Sequence, residues 1–477
     1  MSLFATKPLD KILAQAEEGE HKLKRTLGST QLIALGIGAI IGAGLFSLTG
    51  IAAANHAGPA VTLSFVVAAI GCAFAGLCYS EFSTMIPIAG SAYTYSYATM
   101  GELMAWIIGW DLVLEYAVGA ATVAVSWSRY VVSLFADYGI HIPPAISNSP
   151  WATNIDGSNA GGVVNLLAII VVCAMSTLLM IGIQESARVN TIIVVVKVSV
   201  VVVFILFGWA YINKDNYVPY IPENTGELGY FGLSGVLRAA GVVFFAFIGF
   251  DAVSTAAQET RNPQRDMPIG IIGSLAVCTV LYVLFAHVLT GIVPYKLLDD
   301  AAPVAVAVDR TPYGWLKTAV KMAIIAGYTS VILVMLLGQS RVFFTMSRDG
   351  LLPKFFSQVH PKFRTPWLSN LLFMVFVSLF AAFAPIQIVG EMTSIGTLFA
   401  FVLVCGGILV MRKKHPDLPR PFKTPLVPLV PILGILFNLA LMFGLGKENW
   451  LRLFVWLAIG LVIYFAYSRT HSRLRQE

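Results

Sequence analysis

Charge is scarce in this chain. Lys, Arg, Asp and Glu together make up 12% of its 477 residues, about half the share found in a soluble domain. With 57% hydrophobic residues and a mean hydropathy of +0.79, that shortage excludes an ordinary soluble protein and points to an integral membrane one. The formal surplus of +6 does not mark a nucleic-acid surface, because the basic residues are scattered among short loops between apolar runs. Cysteine is scarce as well. Cys72, Cys78, Cys173, Cys278 and Cys405 all fall in apolar runs, without metal-ligand spacing or a secreted framework, so free, buried thiols are expected. Chemical motifs are missing too. There is no G-x-S-x-G, no H-E-x-x-H and no G-x-x-x-x-G-K-[ST], which weighs against an intramembrane enzyme and against ATP-driven pumping. His287 stands alone in its apolar run and reads as a packing residue.

What remains is apolar length. A helix needs about 20 apolar residues to cross the hydrocarbon layer. Twelve segments qualify: 31–54, 60–86, 101–126, 162–183, 190–212, 234–257, 268–293, 318–344, 367–385, 389–411, 426–446 and 451–468. An even number puts both termini on one side. With twelve spans, 21 of the Lys and Arg residues fall on the terminal side, nine fall on the other, and Lys197 lies inside a span; the bias makes both ends cytoplasmic in a cell membrane. Segment 1–30 is polar, and Leu9, Ile12, Leu13 and Ala16 follow helical spacing. A short amphipathic helix on the membrane surface is expected there, with a disordered tail as the alternative. Residues 469–477 form a cytoplasmic tail. The longest connections are about 127–161 and 296–317 on the outer side and 345–366 and 412–425 on the inner side, so no soluble domain is expected.

The first span is built to break. "LIALGIGAIIGAGLFSL" carries Gly36, Gly38, Gly42 and Gly44, each about 1 kcal/mol worse than alanine in a helix interior. Gly38 and Gly42 form a G-x-x-x-G pair, which alone would suit close helix packing. The run Gly42-Ala43-Gly44 favours local unwinding, and peptide groups released at the bilayer midplane need partners that a polar ligand can supply. The sixth span, "GVVFFAFIGFDAVS", repeats the theme with Gly249 near its middle and Asp251 two residues on. Spans one to five and six to ten then form two five-helix units, about 31–212 and 234–411, each opening with an interruptible helix. That is the pattern of an inverted-repeat secondary transporter, with a core over 31–411 and two further helices over 426–468.

A zwitterion at these breaks would find donors at the Ala43 and Gly44 amides, where a half-helix begins. It would find acceptors at the carbonyls of Ile40 and Ile41, and near Phe245, Ala246 and Ile248 from the sixth span. Lys197 sits in "NTIIVVVKVSVVVVFILFG", some seven residues and about 10 Å into a helix. Such lysines mark proton or ion routes, unless the side chain snorkels to the interface. Asp111 and Glu115 are one turn apart on one inward face.

These stretches resemble a known family. "GIGAIIGAGLF" (Gly36–Phe46), "FFAFIGFD" (Phe244–Asp251) with "QETRNPQRDMPIGI" (Gln258–Ile271), and "SRDGLLPKFFSQVHPKFRTP" (Ser347–Pro366) are similar to motifs of the amino acid–polyamine–organocation (APC) superfamily. "GEHKLKRTLG" and "WDLVLEY" resemble its cationic amino acid transporter subfamily and the bacterial ApcT-type branch. The resemblance covers about residues 20–470. It implies an all-α membrane protein of twelve transmembrane helices with the LeuT-type 5+5 inverted repeat and discontinuous helices 1 and 6. It implies secondary transport of L-amino acids, small neutral or cationic, by alternating access, without a cofactor and driven by protons. It supports the same substrate groups at Ile40, Ile41, Gly42, Ala43, Gly44, Phe245, Ala246 and Ile248, with Phe245 as an aromatic gate. Met322 would line the side-chain pocket. A lysine stands at the place of Lys197 in the ApcT-type branch, where Na⁺-driven cousins bind sodium, so Lys197 would couple transport to protons. Glu115 would face a cationic side chain or pair internally. Asp251 would gate, titrate or cap its helix. Glu81, Glu259 and Arg265 belong to cytoplasmic ends. The partners implied are substrate, protons and membrane lipids, and no nucleic acid; nothing in the sequence speaks for or against a small membrane subunit. An exchanger of amino acids or polyamines in the same fold is the alternative, and a channel, which would repeat a pore loop, fits less well.

Overall fold

The computed structural model describes residues 3–8, 27–86, 91–153, 158–182, 187–255 and 260–476. Helix follows helix throughout, and among the described residues there is no strand, only two isolated bridges. Seven helices are long and apolar enough to cross a membrane, and five shorter apolar helices accompany them: Ser29–Ile40, Leu166–Met180, Gly232–Phe247, Trp367–Phe383 and Leu429–Gly444. Helix lies over each expected segment, with ends shifted by a few residues at several of them, and the first and third differ most. The first expected span is divided at Ile41, and Gly58, with φ +61°, and Pro59 separate its far end from the Val61–Met85 helix. The third runs on to Asp137, since Tyr130 and Val131 remain buried and Arg129 has a partner across the structure.

Burial separates the centre from the rim. The apolar window of the Glu102–Asp137 stretch is 89% buried, that of Lys447–His471 only 22%. The stretch from Glu102 is therefore wrapped by its neighbours, and the C-terminal helix exposes an apolar flank of the kind lipid covers. It is held to the centre by Trp110 and Trp456, stacked at 4.6 Å, with Gly460 leaving the room that the Trp110 ring fills. The five thiols are free, four of them buried and Cys173 partly so.

Both ends of the chain meet on one face. Lys7 Nζ donates to Asp349 at 2.7 Å, and Arg475 Nε donates to the buried Glu102 at 2.8 Å. On that face Glu81 is gripped by Arg412 through two bonds of 2.8 and 2.9 Å and by the Thr424 amide. Arg265 is exposed. The expected amphipathic residues Leu9, Ile12, Leu13 and Ala16, and Glu259, lie outside the described residues.

Candidate functional site

The first break forms where the glycine run predicts it. The Ser29–Ile40 helix closes with the Ile41 amide donating to the Ile37 carbonyl at 2.9 Å. Ile41 then takes extended dihedrals, φ −71° and ψ 109°, and winding resumes as a wide turn over Gly44–Leu48. Ala43 and Gly44 thus stand at a helical N-terminus, where amides have no acceptor within the helix. Gly38 holds the next carbonyl after Ile37, and Lys197 takes it: its Nζ donates to the Gly38 oxygen at 2.9 Å. The lysine comes from the Ala187–Gly208 helix and is 3% exposed. Its stem lies along Gly327, where an added Cβ would come within 3.0 Å of Cε. The ammonium is aimed at the break and does not snorkel to an interface.

The second break is built differently. The Gly232–Val243 helix tightens into the turn Phe244–Phe247, Ile248 is extended, and Gly249 takes φ +116° before the helix resumes at Phe250. Only glycine suits that conformation. Space also demands it, since a Cβ on Gly249 would lie 2.7 Å from the Ala39 carbonyl. The converse holds at the first break, where the Ala246 backbone leaves no room for a Cβ on Gly44. The two interruptions therefore press on one another.

Their carbonyls are not idle. The Tyr282 hydroxyl, from the Pro263–Ile292 helix, lies 2.8 Å from the Ala246 oxygen and 3.1 Å from the Ile40 oxygen, donating across both breaks. Thr49 Oγ1 donates to the Gly44 carbonyl and Tyr130 Oη to that of Phe46. The Phe245 carbonyl accepts the Ile248 amide, and its ring is buried. Ile40, Ile41, Gly42, Ala43, Gly44, Phe245, Ala246 and Ile248 are all brought together and buried.

Beside them lies a carboxyl cluster. Tyr116 Oη donates to Asp251 Oδ2 at 3.0 Å. Glu115 adjoins Asp251 and Thr397 but makes no hydrogen bond of normal geometry, and neither oxygen of Asp111 has a partner among the described residues. Glu115 occupies a wide turn, Leu114–Val118, within its helix, an irregularity frequent at functional sites.

One expected residue is misplaced. Met322 is 56% exposed on the outer flank of the Gly314–Arg348 helix and does not line the interior. Helical phase explains it: Ile324, Gly327, Tyr328 and Val331 define the buried face, and Met322 points away from it. The side chain of this helix that faces the first break is Val331, with methyls 3.5 and 3.7 Å from where a Gly42 Cβ would sit. Tyr282 was missed as well; a tyrosine in an otherwise apolar run was the available signal. His287 stacks on Tyr217 at 4.6 Å, the packing role expected.

Interrupted apolar helices around a buried, hydrogen-bonding centre define a membrane transporter. The chain belongs to the amino acid permease family within the APC superfamily, whose family model matches residues 27–466. It is a membrane amino acid transporter of that superfamily and not an enzyme. It is 47% identical over 476 residues to the branched-chain amino acid permease BcaP of Bacillus subtilis, covering 100% of this chain and 99% of the relative. It is 43% identical over 475 residues to the methylthioribose transporter of the same organism, covering both chains completely. It is 30% identical over 590 aligned residues to the vacuolar cationic amino acid transporter 4 of Arabidopsis thaliana, covering 99% and 96%.

Proposed function

We propose that the protein is a proton-coupled symporter of L-amino acids with neutral, apolar side chains, working by alternating access in the cell membrane. In this reading it has twelve spans in a 5+5 inverted repeat, about 31–212 and 234–411, both termini are cytoplasmic, and helices 1 and 6 are the interrupted pair. The substrate carboxylate takes the amides at Ala43 and Gly44, and its ammonium takes carbonyls of Ile40, Ile41 and Ala246, with Phe245 closing over it. Ile248 and Val331 support an apolar side-chain wall, and the branched-chain permease at 47% identity favours the same substrate class.

The observation that carries the coupling is the Lys197 ammonium on the Gly38 carbonyl, 2.9 Å away. A charge so placed holds the first half-helix in one arrangement, and its proton is the natural item to exchange between access states. Asp251, joined to Tyr116 beside Glu115, is the second protonatable group. A cationic substrate, or amino acid–polyamine exchange, is the alternative; the Glu115 carboxylate without a normal hydrogen bond and the cationic relative favour it. Purified protein in liposomes, with unlabelled leucine, alanine, arginine, putrescine and methylthioribose competing against labelled leucine, tests the reading. Leucine uptake that rises with an inward proton gradient is expected, and uptake indifferent to the gradient overturns the coupling.

A further inference from the structure

Two of the shorter apolar helices, Leu166–Met180 and Trp367–Phe383, run side by side, with Cys173 Sγ and Ser378 Oγ 3.9 Å apart at their seam. Side chains three residues apart share a helix face, so Ile170 and Val375, each three residues before a seam residue, flank it. Both are more than half exposed, and Leu379 extends the second flank in the same way. Apolar side chains left open along a membrane helix are covered by lipid tails.

A basic turn closes the seam on the face where the chain ends meet. Thr365 Oγ1 donates to the Met180 carbonyl at 2.6 Å, and a Cβ on Gly182 would lie 3.2 Å from the Phe363 carbonyl. His360 holds the turn together: its carbonyl accepts the Arg364 amide at 2.9 Å and its amide donates to the Thr365 carbonyl at 2.8 Å. Its Nδ1 accepts the Lys362 and Phe363 amides at 3.2 and 3.3 Å. Arg364 takes φ +54°, a conformation that an arginine keeps only where its surroundings impose it. Lys362, Phe363 and Arg364 are all exposed. Trp367, whose ring meets that of His360 at 6.0 Å, opens the second helix at the level where tryptophan marks the membrane interface. Neither Lys362 nor Arg364 has a carboxylate partner among the described residues, and the one acidic residue of the connection, Asp349, is taken by Lys7.

We infer that this seam binds one anionic phospholipid from the leaflet on the side of the chain ends, with its phosphate on Lys362 and Arg364 and an acyl chain along Ile170, Val375 and Leu379. From Trp367 to Leu379 the helix rises about 18 Å, slightly more than half of the roughly 30 Å hydrocarbon layer, so the chain is covered to its tip. A zwitterionic headgroup brings its own ammonium to the two cations, whereas an anionic one brings only the charge they lack. Basic residues at the ends of membrane helices recognise lipids of that kind, and a turn already held in shape loses little freedom on binding. Phe373 of the same helix packs on Phe343 of the Gly314–Arg348 helix, ring centroids 4.9 Å apart, so an occupied seam braces the helix that carries Val331. The site is independent of what the protein carries.

The test uses the full-length protein, delipidated in detergent, with native mass spectrometry of bound phosphatidylglycerol and phosphatidylcholine of matched acyl chains. One Lys or Arg near an anionic headgroup is worth about fivefold in affinity, so the two together favour phosphatidylglycerol about thirtyfold. Lys362→Gln with Arg364→Gln is expected to bring the two lipids within about threefold of one another. Arg364→Gly, which suits φ +54°, is expected to lose about fivefold of the preference with its melting temperature held or raised, so poor folding of the double variant cannot stand in for the result. Lys413→Gln with Lys423→Gln, on the other basic connection, is expected to keep the full preference. Equal binding of both lipids by the wild type overturns the site. So does a preference that survives Arg364→Gly and the double variant, or one that falls as far in the Lys413 and Lys423 pair. Release of phosphatidylglycerol by millimolar inorganic phosphate would make the turn a site for free anions and overturn the lipid assignment.

Discussion

Replacing Lys197 with methionine separates coupling from folding. The substitution removes a charged donor from the Gly38 carbonyl; such a bond contributes about 1.5–3 kcal/mol. It also removes a lysine buried to 3% exposure, and a lysine near a membrane centre costs about 2.5–3.5 kcal/mol on insertion scales. The two terms nearly cancel, so the thermal stability of Lys197→Met is expected to stay within a few degrees of wild type. Methionine matches the lysine stem, so the packing against Gly327 survives. Function should split. One pH unit is worth about 1.4 kcal/mol per proton, or about tenfold accumulation for one proton per substrate. In liposomes with a one-unit inward gradient, wild type should approach that ratio and Lys197→Met should stop near unity, while leucine counterflow, which needs no gradient, continues. A variant that still accumulates leucine several-fold refutes proton coupling through this residue. A variant with normal stability and no counterflow refutes it too, by making Lys197 part of the transport path itself.

Gly44→Val forces a branched side chain into the Ala246 backbone, an overpacking of about 1–3 kcal/mol; counterflow and gradient-driven uptake should both vanish, and retained counterflow would show that the breaks need not touch. Val331→Phe should raise the KM for leucine at least tenfold while Met322→Phe leaves it within twofold, because only Val331 faces Gly42; the reverse order would restore Met322 to the pocket.

The breaks were legible because glycine in a membrane helix is a local signal: Gly42-Ala43-Gly44 and Gly249 mark them without knowledge of any neighbour. Lys197 was legible for the same reason, as a charge where none is cheap. Met322 was not. Lipid and protein interior are both apolar, so most residues of the Gly314–Arg348 helix do not report its phase; the signal available was the stripe of Lys321, Tyr328 and Gln339, all buried, and Met322 stands off it. Tyr282 was hidden differently. Its residue type permits a donor, but its two acceptors sit 242 and 36 residues away, a separation that no periodicity in one segment reports.

The reciprocal glycines say more together than apart. Gly44 is pressed by Ala246, and Gly249 by Ala39, so each break fits only while the other keeps its shape. Packed interfaces of this kind have discrete arrangements and do not deform continuously. Tyr282 bridges the same pair through the Ile40 and Ala246 carbonyls, the acceptors an incoming ammonium would claim. An ammonium, with three donors, could satisfy both carbonyls where the hydroxyl has one proton to share. Substrate binding would then require the hydroxyl to let go and Gly44 to part from Ala246. The energy of holding the ligand would be spent on separating the two breaks, which is how occupancy of a site shifts the balance between two packings.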